Sequence, residues 1–348
     1  MNEPMAELLQ TYCADAFPGW QEVRISGFGQ LAAGWESVIY GFDLDTLLDG
    51  ESHREEMALR MYAGEGAWDK AGREFAAISR LGQVGYPVPR VFLLERQRSP
   101  FGQPFILMER IEGKSLGEVL FNAPPPEQDL LLARFCELFA RLHKLDWRLF
   151  LKEESGSRAD GAAPVQPPGL DAWLSSTRAT LQRFGWPLDD PFLHWLEQQR
   201  PGVARAWPAP VHGDFHPNNV LLRPDGALIV IDWTNFSVTD ARFDLAWTLV
   251  LANAYLGMAW RDRILHEYER QAGQRAEQIE YFEVCACARR LFDLTISLSA
   301  GAEKMGMRAG AMQEMQAQVG PARRVYRMLL DYTGVRVEPF EQLLESLG

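Results

Sequence analysis

The chain has 348 residues, 47% of them apolar and 24% charged, a balance that suits a globular protein with a sizeable core and excludes extended disorder. That length is large for one compact domain and points to two. A formal charge of −12 without a Lys/Arg cluster excludes a nucleic-acid binder. It leaves room for a nucleotide held by metal ions and backbone amides, and it would lend slight steering to a cationic second substrate.

In chain order, a first helix is predicted over Glu7 to Ala16, followed by half-buried strands at Val23 to Phe28 and Ser37 to Leu44. A third strand is predicted at Met57 to Tyr62, then a helix around Ala71 to Leu81. Strands at Val88 to Leu94 and Pro104 to Ile111 close a strand-rich region. Beyond it, Leu131, Phe135, Leu138, Leu142 and Leu145 recur at helical spacing. Glu153 to Gly169, rich in Gly, Ser, Pro and Ala, reads as a long loop. Helical segments then dominate to the end, interrupted by a short hairpin near residue 225. The expected architecture is α+β and two-lobed: a strand-rich N-terminal lobe over residues 1–110 and a helical C-terminal lobe over 111–348.

Cys13, Cys136, Cys285 and Cys287 have neither a disulfide framework spacing nor a metal-ligand partner set. They suit a reducing cytosol, and Met1-Asn2-Glu3-Pro4 lacks the basic and apolar regions of a signal peptide, so a cytoplasmic protein is expected. Leu245 to Trp260 carries no charge but is shorter than the roughly 20 residues a membrane span needs. It reads as a buried helix, and no membrane partner is expected.

The densest polar cluster is Val211-His-Gly-Asp-Phe-His-Pro-Asn-Asn-Val220, followed by Ile229-Val-Ile-Asp-Trp233. If Asp225-Gly226 forms a two-residue hairpin loop, Asn219 and Asp232 sit directly opposite, with α-carbons about 4.5–5.5 Å apart. An amide oxygen and a carboxylate at that separation suit a hard cation such as Mg2+. Asp214, five residues before Asn219, is placed to address a substrate hydroxyl beside the metal.

This pattern resembles the aminoglycoside phosphotransferase and choline kinase superfamily, itself similar to protein kinases. The family's catalytic loop is matched by His212, Gly213, Asp214 and Asn219, and its second metal-binding aspartate by Asp232. Aspartates further along are matched by Asp240 and Asp244, read as backbone supports, and His212 is read as a packing residue of the loop. Ala32 to Ser37 resembles the phosphate-covering loop and puts Gly34 and Ser37 at the nucleotide. Arg60 stands where the family places a lysine on the phosphates, with Glu74 as its ion-pair partner. Met108-Glu109-Arg110 resembles the hinge that meets the base, and Leu142-His143-Lys-Leu-Asp146 resembles a helix end of the family. The resemblance implies a protein-kinase-like bilobal fold and Mg2+-dependent transfer of a phosphoryl group from ATP or GTP to a small-molecule alcohol. Asp214 would orient the hydroxyl and take its proton, Asn219 and Asp232 would hold the metal, and Arg60 would neutralise phosphate charge.

Two rivals stand beside this reading. Gly213-Asp214-Phe215-His216 resembles an element of metallophosphatases, but only six histidines occur and no second His/Asp cluster. A nucleotide-binding protein of kinase-like fold without turnover is the other, because an arginine replaces the usual lysine at position 60. Gly113-Lys114-Ser115 lacks the first glycine of a P-loop, and Gly27 to Ala32 leads into a strand pattern rather than a dinucleotide-binding helix.

Overall fold

The computed structural model describes residues 2–346 except 34–36, 65, 98, 152–166, 187–189, 204–205 and 301–318. The expected position Gly34 and the long loop from Glu153 to Gln166 lie outside the described residues.

The described chain divides into two compact units. The first begins with helix α1 (Asn2–Ala16) and strands β1 (Gln21–Ala33), β2 (Ser37–Leu48) and β3 (Glu51–Tyr62). Helix α2 (Ala67–Gln83), β4 (Val91–Glu95), β5 (Phe105–Glu109) and β6 (Lys114–Ser115) follow. Strands β1 to β5 form one antiparallel sheet in the order β1-β2-β3-β5-β4. β2 and β3 pair without interruption from Ser37–Tyr62 to Leu48–Glu51. Their loop is Asp49-Gly50 with φ of 52° and 85°, the positive pair of a two-residue turn whose twist matches the flanking strands.

From Met57 onward β3 is buried on both faces because a helix covers each. Met57 and Leu59 point into a core with Leu9 and Cys13 of α1. Ala58 and Tyr62, on the alternate face, meet Ala67 and Ala71 of α2. Arg60 shares that second face by its period-two spacing, so its side chain runs toward α2. α2 buries Ala67, Ala71, Glu74, Ala77, Ile78 and Leu81, and Glu74 falls inside that apolar stripe.

The second unit holds α3 (Leu116–Asn122), α4 (Pro125–His143), α5 (Leu170–Arg183), α6 (Pro191–Gln199) and β7 (Pro208–Val211). Strands β8 (Val220–Leu222) and β9 (Leu228–Val230) come next in the chain but belong to the first unit, where they join β6 in a three-stranded sheet. The sequence assigned them to the helical lobe. They join the first unit because Val230 N–H donates to Pro87 O at 2.9 Å and the Trp233 ring packs edge-on against Tyr86.

The hairpin also departs from its expected register. The pairs are Val220–Val230, Leu221–Ile229 and Leu222–Leu228, one position off the expected alignment. Arg223 N–H bonds Ala227 O across a three-residue loop, with Gly226 at φ 86°. Asp225-Gly226 therefore closes a longer turn than the two-residue form. The ladder stops at Val220–Val230, so cross-strand pairing does not place Asn219 opposite Asp232.

The second unit resumes with β10 (Ser237–Asp240), which pairs with β7, and then α7 (Ala241–Leu256), α8 (Met258–Ala272) and α9 (Ile279–Ala300). Helices α10 (Val319–Thr333) and α11 (Glu338–Ser346) complete it. The uncharged run from Leu245 breaks at Gly257, φ 95°, where α7 gives way to α8. No helix among the described residues is long and apolar enough to cross a membrane.

Candidate active site

The loop after β7 is fixed from below by α7. Asp240 caps that helix by accepting from Arg242 N–H, and one turn on Asp244 points back at the loop. Asp244 Oδ2 accepts from His212 N–H at 2.6 Å, and Oδ1 accepts from Gly213 N–H at 2.9 Å. The same carboxylate lies 3.3 Å from His143 Nε2, whose Nδ1 meets the Tyr268 hydroxyl at 2.7 Å. A buried charge is tolerable here because every face of it is hydrogen-bonded. Asp240 similarly holds Trp207 N–H and the guanidinium of Arg242.

Phe215 anchors the loop from inside, stacked on Phe139 with ring centroids 4.1 Å apart and Thr248 Oγ1 donating to its carbonyl. Gly213 must be glycine. Its φ is 80°, and a Cβ there would lie 2.8 Å from both the Cβ and the carbonyl oxygen of Asn235. His212 is buried, and its Nδ1 accepts from Asp214 N–H at 3.2 Å, so the ring shapes the turn.

The consequence of this packing is a defined carboxylate at Asp214, about a third exposed. Oδ1 accepts from the Trp247 indole N–H at 2.6 Å, and Oδ2 faces His216 Nε2 at 3.6 Å. Burial alone would raise the pKa of Asp214, but the neighbouring His216 ring and the Trp247 N–H outweigh it and hold the group well below the usual carboxylate range. Asn219 ends a short 3-10 turn, donates Nδ2 to Asp214 O at 3.0 Å and its backbone N–H to His216 O at 2.9 Å. With the amide nitrogen so engaged, its carbonyl oxygen is the end directed away as an acceptor.

A second polar cluster lies in the first unit. Arg60 Nη2 donates to Asp232 Oδ1 at 2.6 Å and to Thr234 Oγ1 at 2.8 Å. Arg60 Nε lies 3.3 Å from Glu74 Oε2 but is not aligned to hydrogen-bond it. Glu74 also accepts from the Tyr62 hydroxyl at 2.6 Å and from Trp233 N–H at 3.1 Å. Burial raises the Glu74 pKa, and Arg60 partly offsets it. For Arg60 burial works against the charged form, yet Asp232 and Glu74 prevail and the guanidinium is held more firmly protonated than usual.

Asp232 takes φ 66°, a left-handed conformation that costs a non-glycine residue energy and is met mainly where the surroundings dictate it. Its side chain is 42% exposed, against 7% for Arg60 and 1% for Glu74. One guanidinium thus faces two carboxylates, and the surplus negative charge lies at the more accessible one.

This donor set suits magnesium. Among the described residues no three His, Cys, Asp or Glu side chains gather into a metal cage. Magnesium is characteristically held by one or two protein oxygens and completed by phosphates and water. The exposed, hard carboxylate of Asp232 in the first unit matches that habit.

The remaining expected nucleotide contacts divide. Ser37 is buried at the start of β2 opposite Tyr62. Met108 is inside the β5 ladder, paired with Ala58. Arg110 is committed to acids of the sheet, with Nη2 at 2.9 Å from Asp43 and 2.7 Å from Glu56, and its N–H is bound to Glu56 O. Sequence reasoning missed Trp247, Thr234 and Tyr62. Trp247 is 33 positions from the acid it orients, and no local spacing announces such a pair.

Known proteins share this framework. A mouse protein named acyl-CoA dehydrogenase family member 10 is 27% identical over 184 residues, which are 51% of this chain and 16% of that one. The chain therefore spans a small part of that longer relative. Among solved structures, a Ralstonia eutropha protein classed with the aminoglycoside phosphotransferases superposes with a TM-score of 0.65 at 16% identity, covering 95% of this chain and 99% of the other. A thermostable aminoglycoside phosphotransferase APH(4)-Ia in ternary complex with ADP and hygromycin B gives a TM-score of 0.56 at 17% identity, covering 91% and 98%. The GDP and kanamycin complex of APH(2")-IIIa gives 0.57 at 18%, covering 89% and 98%. These likenesses establish the bilobal kinase-like fold. The family model described as "Phosphotransferase enzyme family" matches residues 36–284, and the chain belongs to that family.

Proposed function

We propose that the protein transfers the γ-phosphoryl group of ATP or GTP to the hydroxyl of a small molecule. The observation that carries this is the Asp214 carboxylate: one oxygen is fixed by Trp247 at 2.6 Å, while the other faces the His216 ring. A carboxylate held ionised in a fixed direction orients an alcohol and takes up its proton late in transfer, which is what a loose phosphoryl-transfer transition state requires. Asp214 is then the catalytic acid–base residue, and the loop that His212, Phe215 and Asp244 fix supplies its position.

Asn219 and Asp232 would hold Mg2+, which when bound with the nucleotide neutralises charge on the phosphates. Arg60 adds a second positive group toward the phosphates, and Glu74 and Thr234 hold its guanidinium in place. Because the N–H groups of Glu109 and Arg110 are spent on Arg90 O and Glu56 O, a backbone donor to the base would come from Ile111 or Glu112. Nucleotide use is supported by the ADP and GDP bound in the two aminoglycoside phosphotransferase complexes. Dehydrogenase activity is not carried over from the mouse relative, of which the match covers 16%. The four buried, free thiols fit a reducing, cytoplasmic setting.

A panel of small alcohols with ATP or GTP and magnesium tests the reading through diphosphate release. Acceptor-dependent release is expected. Release of inorganic phosphate indifferent to any alcohol would favour hydrolysis, and nucleotide binding without turnover against the whole panel would favour a non-catalytic kinase-like protein.

A further inference from the structure

The second unit contains a cavity of about 480 Å³, within the range of small-molecule sites. Gly213 and Trp247 are in its wall, the residue before Asp214 and the residue that fixes Asp214 Oδ1, so the cavity lies beside the loop that carries Asp214. Most of the remaining wall is apolar or aromatic: Trp173 from α5, Val211, Val238, Phe243 and Ala286. Trp173 and Phe243 are themselves packed, with ring centroids 5.5 Å apart.

Two charged side chains line it among the described residues, Asp244 and Arg289. Asp244 has no capacity to spare, because its side chain is fully buried and both oxygens are taken by loop N–H groups and His143. Arg289 is different. Its guanidinium lies 4.1 Å over the Trp247 ring and gives Nη1 to Gly213 O at 2.9 Å. Among the described residues the nearest carboxylate, that of Asp293, approaches Nε only to 3.9 Å and is not part of the wall. Nη2 makes no hydrogen bond among the described residues, and a half-exposed pair at that distance is weak. A stacked arginine presents a planar fork that matches a carboxylate.

We infer that this cavity is the acceptor subsite and that it takes a hydroxy acid: a hydroxyl compound with an apolar, planar body and a carboxylate that meets Arg289. The inference rests on the phosphotransferase reading for the hydroxyl and adds the body and the charge. In the step it serves, the acceptor oxygen bonds to the γ-phosphorus, the bond from that phosphorus to the bridging oxygen of the diphosphate breaks, the diphosphate leaves, and the hydroxyl proton passes to Asp214. A polycationic acceptor would find, among the described residues, only the Asp244 carboxylate in this wall, and both of its oxygens are already engaged. The slight steering that the net charge offers a cation is outweighed by the local cation at Arg289.

Three probes of one shape test this: 4-(hydroxymethyl)benzoate, 4-(hydroxymethyl)benzamide and 4-(hydroxymethyl)benzylamine, titrated calorimetrically without nucleotide. The benzoate is expected to bind about tenfold or more tighter than the amide, the range of a charge-assisted hydrogen bond, and the amine weakest. Arg289→Gln should erase the preference for the benzoate and leave the amide unchanged. Ala172→Trp, which fills the cavity from an exposed position of α5, should weaken benzoate and amide together. Equal or tighter binding of the amine, an Arg289→Gln variant that keeps the preference, or benzoate binding indifferent to Ala172→Trp would overturn the inference. These are binding measurements, so a failure of phosphoryl transfer leaves them readable, and their failure leaves transfer to another acceptor standing.

Discussion

Arg60 Nη2 and Asp232 Oδ1 lie 2.6 Å apart, joining the middle strand of the first sheet to a residue 172 positions later in the chain. The same nitrogen also reaches Thr234, while the Nε edge faces Glu74. A planar guanidinium can serve three neighbours at once, and a lysine ammonium on this strand would have to choose among them. The arginine thus ties the proposed metal ligand to the buried helix α2 carboxylate.

Removing that guanidinium leaves Glu74, which is 1% exposed, without its countercharge. Arg60→Met is expected to cost about 3–5 kcal/mol, the range for stranding one partner of a buried pair. Arg60→Lys, which keeps the charge, should cost less. Urea unfolding followed by tryptophan fluorescence measures both. A loss below about 1 kcal/mol for Arg60→Met would show that the ion pair is dispensable.

Gly213→Ala strains the loop twice, through φ 80° and through the 2.8 Å approach to Asn235. The resulting shift of Asp214 should lower kcat about a hundredfold, as displacements of about an ångström do in positioned sites. Nucleotide affinity should change little. Steady-state kinetics with parallel nucleotide titration would show this split, and an unchanged kcat would mean that the loop tolerates the shift.

The pH dependence follows from Asp214. Its folded pKa is depressed below its unfolded value, so the stability it contributes is complete above about pH 4, the ordinary aspartate value, and is lost only as pH falls further. Turnover should therefore show no acid limb from Asp214 between about pH 5 and 8. His216→Asn removes a group that lowers this pKa, so any acid limb should move upward in that variant. A wild-type limb that stays put in His216→Asn would assign the titration to another group.

Much of this was legible beforehand, for reasons that differ by element. The strands and helices of the first unit follow period-two and period-3.6 patterns that local sequence carries directly. The polar loop at His212 to Asn219 stood out because so many polar groups rarely collect without a task. The hairpin register did not, because Asp225-Gly226 supports a three-residue loop as readily as a two-residue one, while Asp49-Gly50 in the same chain adopts the tight form. Trp247 and Arg289 were invisible. Their roles arise from α7 and α9 packing beside the loop, which no spacing in the chain records.

Acceptor-dependent diphosphate release by Asp214→Asn, beside the unaltered protein, tests the central claim most directly. The amide keeps an oxygen for the Trp247 N–H but cannot take the hydroxyl proton. Release should fall by about 10²–10⁴, the contribution of a positioned acid–base group, with nucleotide affinity retained. Release that stays at the unaltered rate in this variant would contradict the account.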